Sequence, residues 1–494
     1  MLEKLRQKIF RFIESPKDVP LLAGFSIGLY MVLYYYSKNF GLANSIAQLL
    51  FFIAYYMLSS VAILYIGYKV LGIGKLSKFR KQFLFITIPV LLGYFLMDLS
   101  LLSTRNRIVF ALVIMIVALY FLSKKFAQYY KFFIVIILFL AVFNLVPVLK
   151  IGYVAVTSTE DWRRQPDDIT NIVFKTKPNI YYIQPDGYAS FKNLQDTTYN
   201  YNNKAYEHFL KQNGFKLYNN FRSNYYSTLL SNTSMFSMKH HYADAKVAEY
   251  SSRSIILGNN PVLEVFKNNK YKTHFISEKP YLQMNRPSVG YDYSNFESDK
   301  LPFLKDGWSV NEEIQPNLKR CMELQNPDGN FYFIEKFSPG HISGIKLHSA
   351  GAAAEKKMYL TKLDDANKWL MQTISFIEKA DPDALIIIAA DHGGFLGFDY
   401  TEQSETFTEN THLVNSIFGA SLAIRWNNAT HTGYDVELKT AVNLFRTVFS
   451  FLAQDKKYLN FKQEDGSYLV MKKPAGLYKY INDDGAVVFE KQVK

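Results

Sequence analysis

Two short runs of the chain end in residues able to hold a divalent cation. "NIYYIQPDG" closes an apolar segment with Asp186, and "ALIIIAADHGG" closes seven consecutive apolar residues, Ala384–Ala390, with Asp391 and His392. Two carboxylates and an imidazole suit Zn²⁺ or Mn²⁺. Gly187, Gly393 and Gly394 let the backbone turn sharply beside such an ion. The plainer reading of the same residues is an Asp and a His capping the next helix. A third run, "RSNYYSTLLSNTSMFSM" over Arg222–Met238, places Ser227, Thr228, Ser231, Thr233 and Ser234 at the start of a helical pattern. A hydroxyl at a helix N-terminus faces free N–H groups and the positive end of the dipole, which favours an anion such as phosphate. An ordinary N-cap accounts for the same residues.

These side chains meet only if the fold gathers the strand ends. From Pro178 onward, apolar runs at 179–184, 273–277, 331–337 and 384–390 alternate with helical patterns at 203–213 and 355–379. That alternation predicts βαβ units and a soluble α/β domain with a mostly parallel, helix-covered sheet. In such sheets ligands gather beyond the carboxyl ends of the strands. If the strands before Asp186 and Asp391 are neighbours, both carboxylates and His392 converge.

The rest of the chain has a different character. Residues 1–150 hold 17 Lys and Arg against 4 Asp and Glu, while the remainder holds 39 against 39, so the net charge of +13 belongs to the first third. A neutral C-terminal part argues against nucleic-acid binding. Apolar segments at Pro20–Tyr36, Ala43–Gly67, Phe83–Leu102, Ile108–Leu122 and Phe132–Leu149 predict an all-α bundle of five transmembrane spans. With the N-terminus cytoplasmic, 13 basic residues fall inside and four, Lys38, Arg105, Arg107 and Lys150, fall outside. This positive-inside bias and an odd span count put everything after Leu149 on the extracytoplasmic side of a plasma membrane. Asp98 lies at the outer end of the third span and reads as an interfacial carboxylate. The expected divisions are a membrane domain over 1–150, a polar linker over 151–177, a catalytic domain over 178–455 and its extension over 456–494. The single cysteine, Cys321, excludes an intrachain disulfide. Nothing in the composition speaks to oligomeric state.

The order "PNIYYIQPDG", then "STLLSNTSMFS" about forty residues on, then "LIIIAADHGG" resembles the sulfatase-like branch of the alkaline phosphatase superfamily. In architecture the chain is similar to membrane-anchored phosphoethanolamine transferases and lipoteichoic acid synthases. The resemblance implies that Asp186, Thr228, Asp391 and His392 form a metal site with Thr228 as nucleophile. It also implies that the substrate is a membrane lipid or lipid-linked envelope component, and that His341 in "FSPGHISG" contacts it. His412, twenty residues beyond His392, is a candidate ligand for a second metal. Asp365 is expected to be structural, and His240 and His241 to be surface residues. No C/S-x-P-x-R sequence occurs, which disfavours sulfate-ester hydrolysis. The same residues serve a phosphotransferase, a phosphodiesterase or phosphatase, or an inert module that keeps the fold for binding.

Overall fold

The structure, a computed structural model, describes residues 2–99, 105–157, 161–242, 245–304, 310–324, 326–427 and 433–492. The chain divides into two compact units, Met1–Ser158 with Phe303–Lys305, and the remainder.

The first unit is helical. Among the described residues, four helices are long and apolar enough to cross a membrane: Ile46–Val70, Gly74–Asp98, Asn106–Tyr129 and Lys131–Thr157. The expected end of one span at Leu102 lies outside the described residues. The first of the five expected spans forms the 20-residue helix Pro20–Asn39 but is not among the four. Its composition explains the difference, because Gly24, Ser26, Gly28 and Tyr34–Tyr36 dilute its apolar character. This helix is the buried centre of the unit, with Ala23, Ile27 and Met31 fully enclosed. A Cβ on Gly24 would lie 2.5 Å from the Val61 Cα, and one on Gly28 would lie 2.3 Å from the Met57 Cα. Two small residues one turn apart thus let two helix backbones touch, as in close-packed membrane helices. A helix that faces protein on most sides needs less hydropathy than one that faces lipid. Asp98 ends its helix exposed and accepts a hydrogen bond from the Tyr55 hydroxyl at 3.2 Å.

The second unit is built on a seven-stranded sheet. Its strands are β1 (Ile180–Pro185), β2 (Lys216–Leu217), β3 (Lys272–Ser277), β4 (Tyr293–Ser294), β5 (Asn330–Lys336), β6 (Leu385–Ala389) and β7 (Leu422–Arg425), in the order 2-7-6-1-5-3-4. The pairs from β6 through β1, β5 and β3 to β4 are parallel, and β7 is antiparallel to both β6 and β2. The central strands are buried on both faces, which is why they read as continuous apolar runs. On one face Tyr182 and Phe333 pack against Phe236 and Phe445 from the helices Thr228–Ser237 and Leu444–Ala453. On the other, Tyr181 stacks on Tyr332 at 4.5 Å and His274 on Tyr332 at 4.8 Å. A second sheet of three antiparallel strands, β8 (Ser467–Lys472), β9 (Ala475–Ile481) and β10 (Val487–Lys491), occupies the C-terminal part.

The polar stretch expected to be a linker is tied down. The last apolar helix continues to Thr157, and Ile169, Ile172 and Phe174 join the core of the second unit. Asp167 pairs with the buried guanidinium of Arg446 at 2.7 Å.

Candidate metal centre

The register of the sheet explains why Asp186 and Asp391 meet. Ile183 of β1 pairs with Ile388 of β6, and each carboxylate follows three residues later on adjacent parallel strands. Neighbouring strands lie about 4.8 Å apart, so equivalent positions past their ends are within reach of a common ion. Ligand atoms of Asp186, Asp391 and His392 all lie within 4.8 Å of one another.

The turns at both strand ends require glycine. Gly187 has φ +64°, and a Cβ there would fall 2.2 Å from the Gly340 carbonyl oxygen. Its N–H donates to Asp391 Oδ1 at 3.0 Å, which ties one strand end to the other. A Cβ on Gly393 would meet the Ser416 carbonyl at 2.2 Å. Tyr359, from the helix Ala352–Ala380, supports the turn by donating to the Gly187 carbonyl and accepting from Ala189 N–H.

His392 is held in a defined orientation. Its Nδ1 bonds the Gly393 carbonyl at 2.8 Å, which directs Nε2 toward Asp391 Oδ2 at 3.4 Å and Asp186 Oδ1 at 3.5 Å. An N–H fixed on a backbone carbonyl is the arrangement that leaves the opposite nitrogen free to bind a metal. Thr228 is the first residue of its helix, whose N-cap Ser227 accepts from the Leu230 N–H. The Thr228 hydroxyl lies 3.4 Å from His392 Nε2 and donates toward Asp186 Oδ1 at 3.5 Å.

The electrostatics call for a cation. Burial, reinforced by the charge of Asp391, pushes the Asp186 carboxyl up to about 7. Burial opposes the charged form of His392, but Asp391 and Asp186 outweigh it and raise its pKa. Asp391 Oδ2 is buried and accepts no hydrogen bond among the described residues. Two enclosed carboxylates with an unsatisfied oxygen and a free imidazole nitrogen fit a divalent ion of the Zn²⁺ or Mn²⁺ kind.

A small pocket of about 150 Å³ opens on this centre, lined by Thr228, His392, His341, Phe395, Glu402 and Glu405 among others. His341 is exposed on it, its ring centroid 5.7 Å from that of His392, and packing of the protein around it followed by the His392 charge favours its neutral form. Larger clefts of about 520 and 620 Å³ elsewhere touch none of the three candidate ligands.

His412 stands apart from the group. Its side chain is 55% exposed and faces Asp196 at 3.4 Å. Asp365 is exposed and, among the described residues, pairs with Lys368 at i,i+3. His240 and His241 are buried rather than on the surface, which corrects the expectation for both. His240 bonds the Glu464 carbonyl at 2.8 Å, and His241 stacks on Tyr225 at 3.9 Å with burial pushing its pKa down to about 3. An aromatic-rich stretch around them encloses two imidazoles that the local sequence reads as polar. One residue near the site escaped sequence reasoning. Glu335 of β5, beside Gln184 in register, is fully buried, held well above its ordinary pKa by burial, and subject to the charges of Asp186 and Asp391. An acid inside the strand "FYFIEKF" was the available signal.

No family model matches the sequence, and no curated protein matches it. Solved structures similar to the chain include the C-terminal periplasmic domain of EcEptC from Escherichia coli, at 13% identity and TM-score 0.41, covering 62% of this chain and 93% of that one. They also include the integral membrane lipooligosaccharide phosphoethanolamine transferase A of Neisseria meningitidis, at 10% identity and TM-score 0.40, covering 88% and 94%. The lipoteichoic acid synthase LtaP of Listeria monocytogenes is similar at 14% identity and TM-score 0.39, covering 65% and 91%.

Proposed function

We propose that the chain is a membrane-anchored, metal-dependent phosphotransferase that removes the head group of a lipid-borne phosphodiester through Thr228. The observation that supports this most strongly is the clustering of Asp186, Asp391 and His392, with the hydroxyl of Thr228 at a helix N-terminus within reach of Asp186 Oδ1 and His392 Nε2. In this reading Asp186, Asp391 and His392 hold the cation, with Thr228 beside them. A bound divalent ion supplies positive charge that lowers the pKa of a nearby hydroxyl and stabilises charge on phosphoryl oxygens.

Thr228 Oγ attacks phosphorus, and the bond from phosphorus to the lipid oxygen breaks. The hydroxyl proton passes to Asp186 Oδ1, and the lipid oxygen takes a proton from water and leaves as an alcohol. Backbone N–H groups in the first turn of the Thr228 helix face the phosphoryl oxygens. An acceptor hydroxyl or water then breaks the Thr228–phosphorus bond. His341, neutral and on the pocket wall, contacts the substrate. Retention of the head group for an acceptor makes the reaction a transfer, and delivery to water makes it a hydrolysis.

The reading includes five spans, with Pro20–Asn39 as the first, the N-terminus cytoplasmic and the second unit extracytoplasmic. With that topology the site shares its compartment with the outer leaflet, where a lipid-borne substrate can be presented. The test uses the full-length protein loaded with Zn²⁺ or Mn²⁺ in vesicles of phosphatidylethanolamine and phosphatidylglycerol. Diacylglycerol should appear, and chelation should stop it. Replacement of Thr228 by Ala should lower the rate at least about 1,000-fold. Undiminished release by Thr228→Ala would mean that water attacks directly.

A further inference from the structure

The second unit has a separate polar cleft of about 520 Å³ that contains none of Asp186, Thr228, Asp391 or His392. Arg222 contributes to its lining and is only 7% exposed. Its Nη2 donates to the carbonyls of Asp465 at 2.5 Å and Asn482 at 2.8 Å, and its buried Nε has no hydrogen-bond partner among the described residues. Asp465 and Asp483 act on it through longer-range charge, with no ion pair to Arg222 among the described residues. A guanidinium taken out of water, hydrogen-bonded to carbonyls and offset by two acids only at longer range, lacks a direct anionic partner among the described residues. Its planar fork suits a phosphate or a carboxylate.

The lining adds further cations and amides to this guanidinium. Lys192 and Lys439 are exposed on it, so three cations face one acid, Asp484. Asn219 and Asn220 are exposed there too, and their amides are of the type that binds hydroxyls. Gly485, with φ +85°, lies beside the guanidinium, and a Cβ there would stand 3.7 Å from Arg222 Nη1. The volume falls within the range of sites for small molecules.

We propose that this cleft binds an oxyanion carried on a sugar, with Arg222, Lys192 and Lys439 on the anion and Asn219 and Asn220 on the hydroxyls. A sugar phosphate and a uronic acid share that chemistry. The site does not depend on the phosphotransfer reading.

The test uses the full-length protein in detergent with chelator present, so that anions do not gather at the metal centre. Amine labelling followed by mass spectrometry is read at Lys192 and Lys439, with the 74%-exposed Lys300 as control. Glucose 6-phosphate or glucuronate should protect both lysines and leave Lys300 unchanged, and glucose should protect neither. Protection by one anion and not the other identifies the charged group. Calorimetric titration with the protecting ligand should show binding at least about tenfold weaker in the double variant Lys192→Glu, Lys439→Glu. Both positions are exposed, so the variant should keep the unfolding transition of the native chain. No protection by either anionic sugar at about 10 mM, or equal affinity in the double variant, would overturn the proposal. Inorganic phosphate binding as tightly as the sugar phosphate would overturn the role of the amides.

Discussion

Asp186 and Asp391 share an enclosed space in which two negative charges repel, and this has a measurable consequence without metal. The Asp186 carboxyl titrates near 7 in the folded chain, chiefly through burial and then through Asp391. A folded pKa raised above the unfolded value gives stability that is complete below about pH 4 and lost as pH rises through 7. The chelated protein should therefore lose on the order of 2–4 kcal/mol between pH 4 and pH 8. Trp162, Trp369 and Trp426 lie in the second unit, and residues 1–158 contain no tryptophan, so denaturation followed by tryptophan fluorescence follows the second unit. Asp186→Asn should flatten the dependence, and an unchanged slope would count against the buried pair. At neutral pH, Asp391→Asn should weaken metal affinity at least about 100-fold while the fold survives, as read by metal titration. Asp186, Asp391, His392 and Thr228 could be singled out because each lies within three residues of the end of a strongly patterned strand or begins a helix. Glu335 and His240 were not, since their burial depends on which distant residues enclose them.

At the scale of elements, strand register aligns the two carboxylates and a helix start brings the hydroxyl to them. The apolar runs of β1 and β6 announced themselves as strands, but nothing local said that they are neighbours, and that adjacency makes the site. The two-residue strands β2 and β4 and the C-terminal sheet carried too little pattern to read. The stretch before Pro178 read as a linker because of its charges, one of which is used inside the fold. Asp167 and Arg446 have side chains only 5% and 1% exposed, so neither charge is replaced by water when its partner is removed. Asp167→Ala should cost about 3–5 kcal/mol by the same fluorescence measurement. A loss below about 1 kcal/mol would place this segment outside the cooperative fold.

In the whole molecule, a helical unit with four described helices long and apolar enough to cross a membrane accompanies an α/β unit that carries the candidate metal centre. The span count decides which side of the membrane that centre faces, because four spans and five spans put the second unit on opposite sides. A compartment-sensitive reporter fused after Lys150 should be active only outside the cytoplasm. Activity restricted to the cytoplasm would remove Pro20–Asn39 from the spans and the extracytoplasmic lipid from the substrates. The role of Thr228 can be tested without knowing the head group. The full-length protein, loaded with Zn²⁺ or Mn²⁺, is mixed with bis(p-nitrophenyl) phosphate, quenched, and digested for mass spectrometry. The account predicts a stoichiometric burst of p-nitrophenolate and a p-nitrophenyl phosphate ester on Thr228, both absent with chelator and in Thr228→Ala. Metal-dependent turnover with no ester on Thr228, and with an undiminished rate in Thr228→Ala, would contradict it.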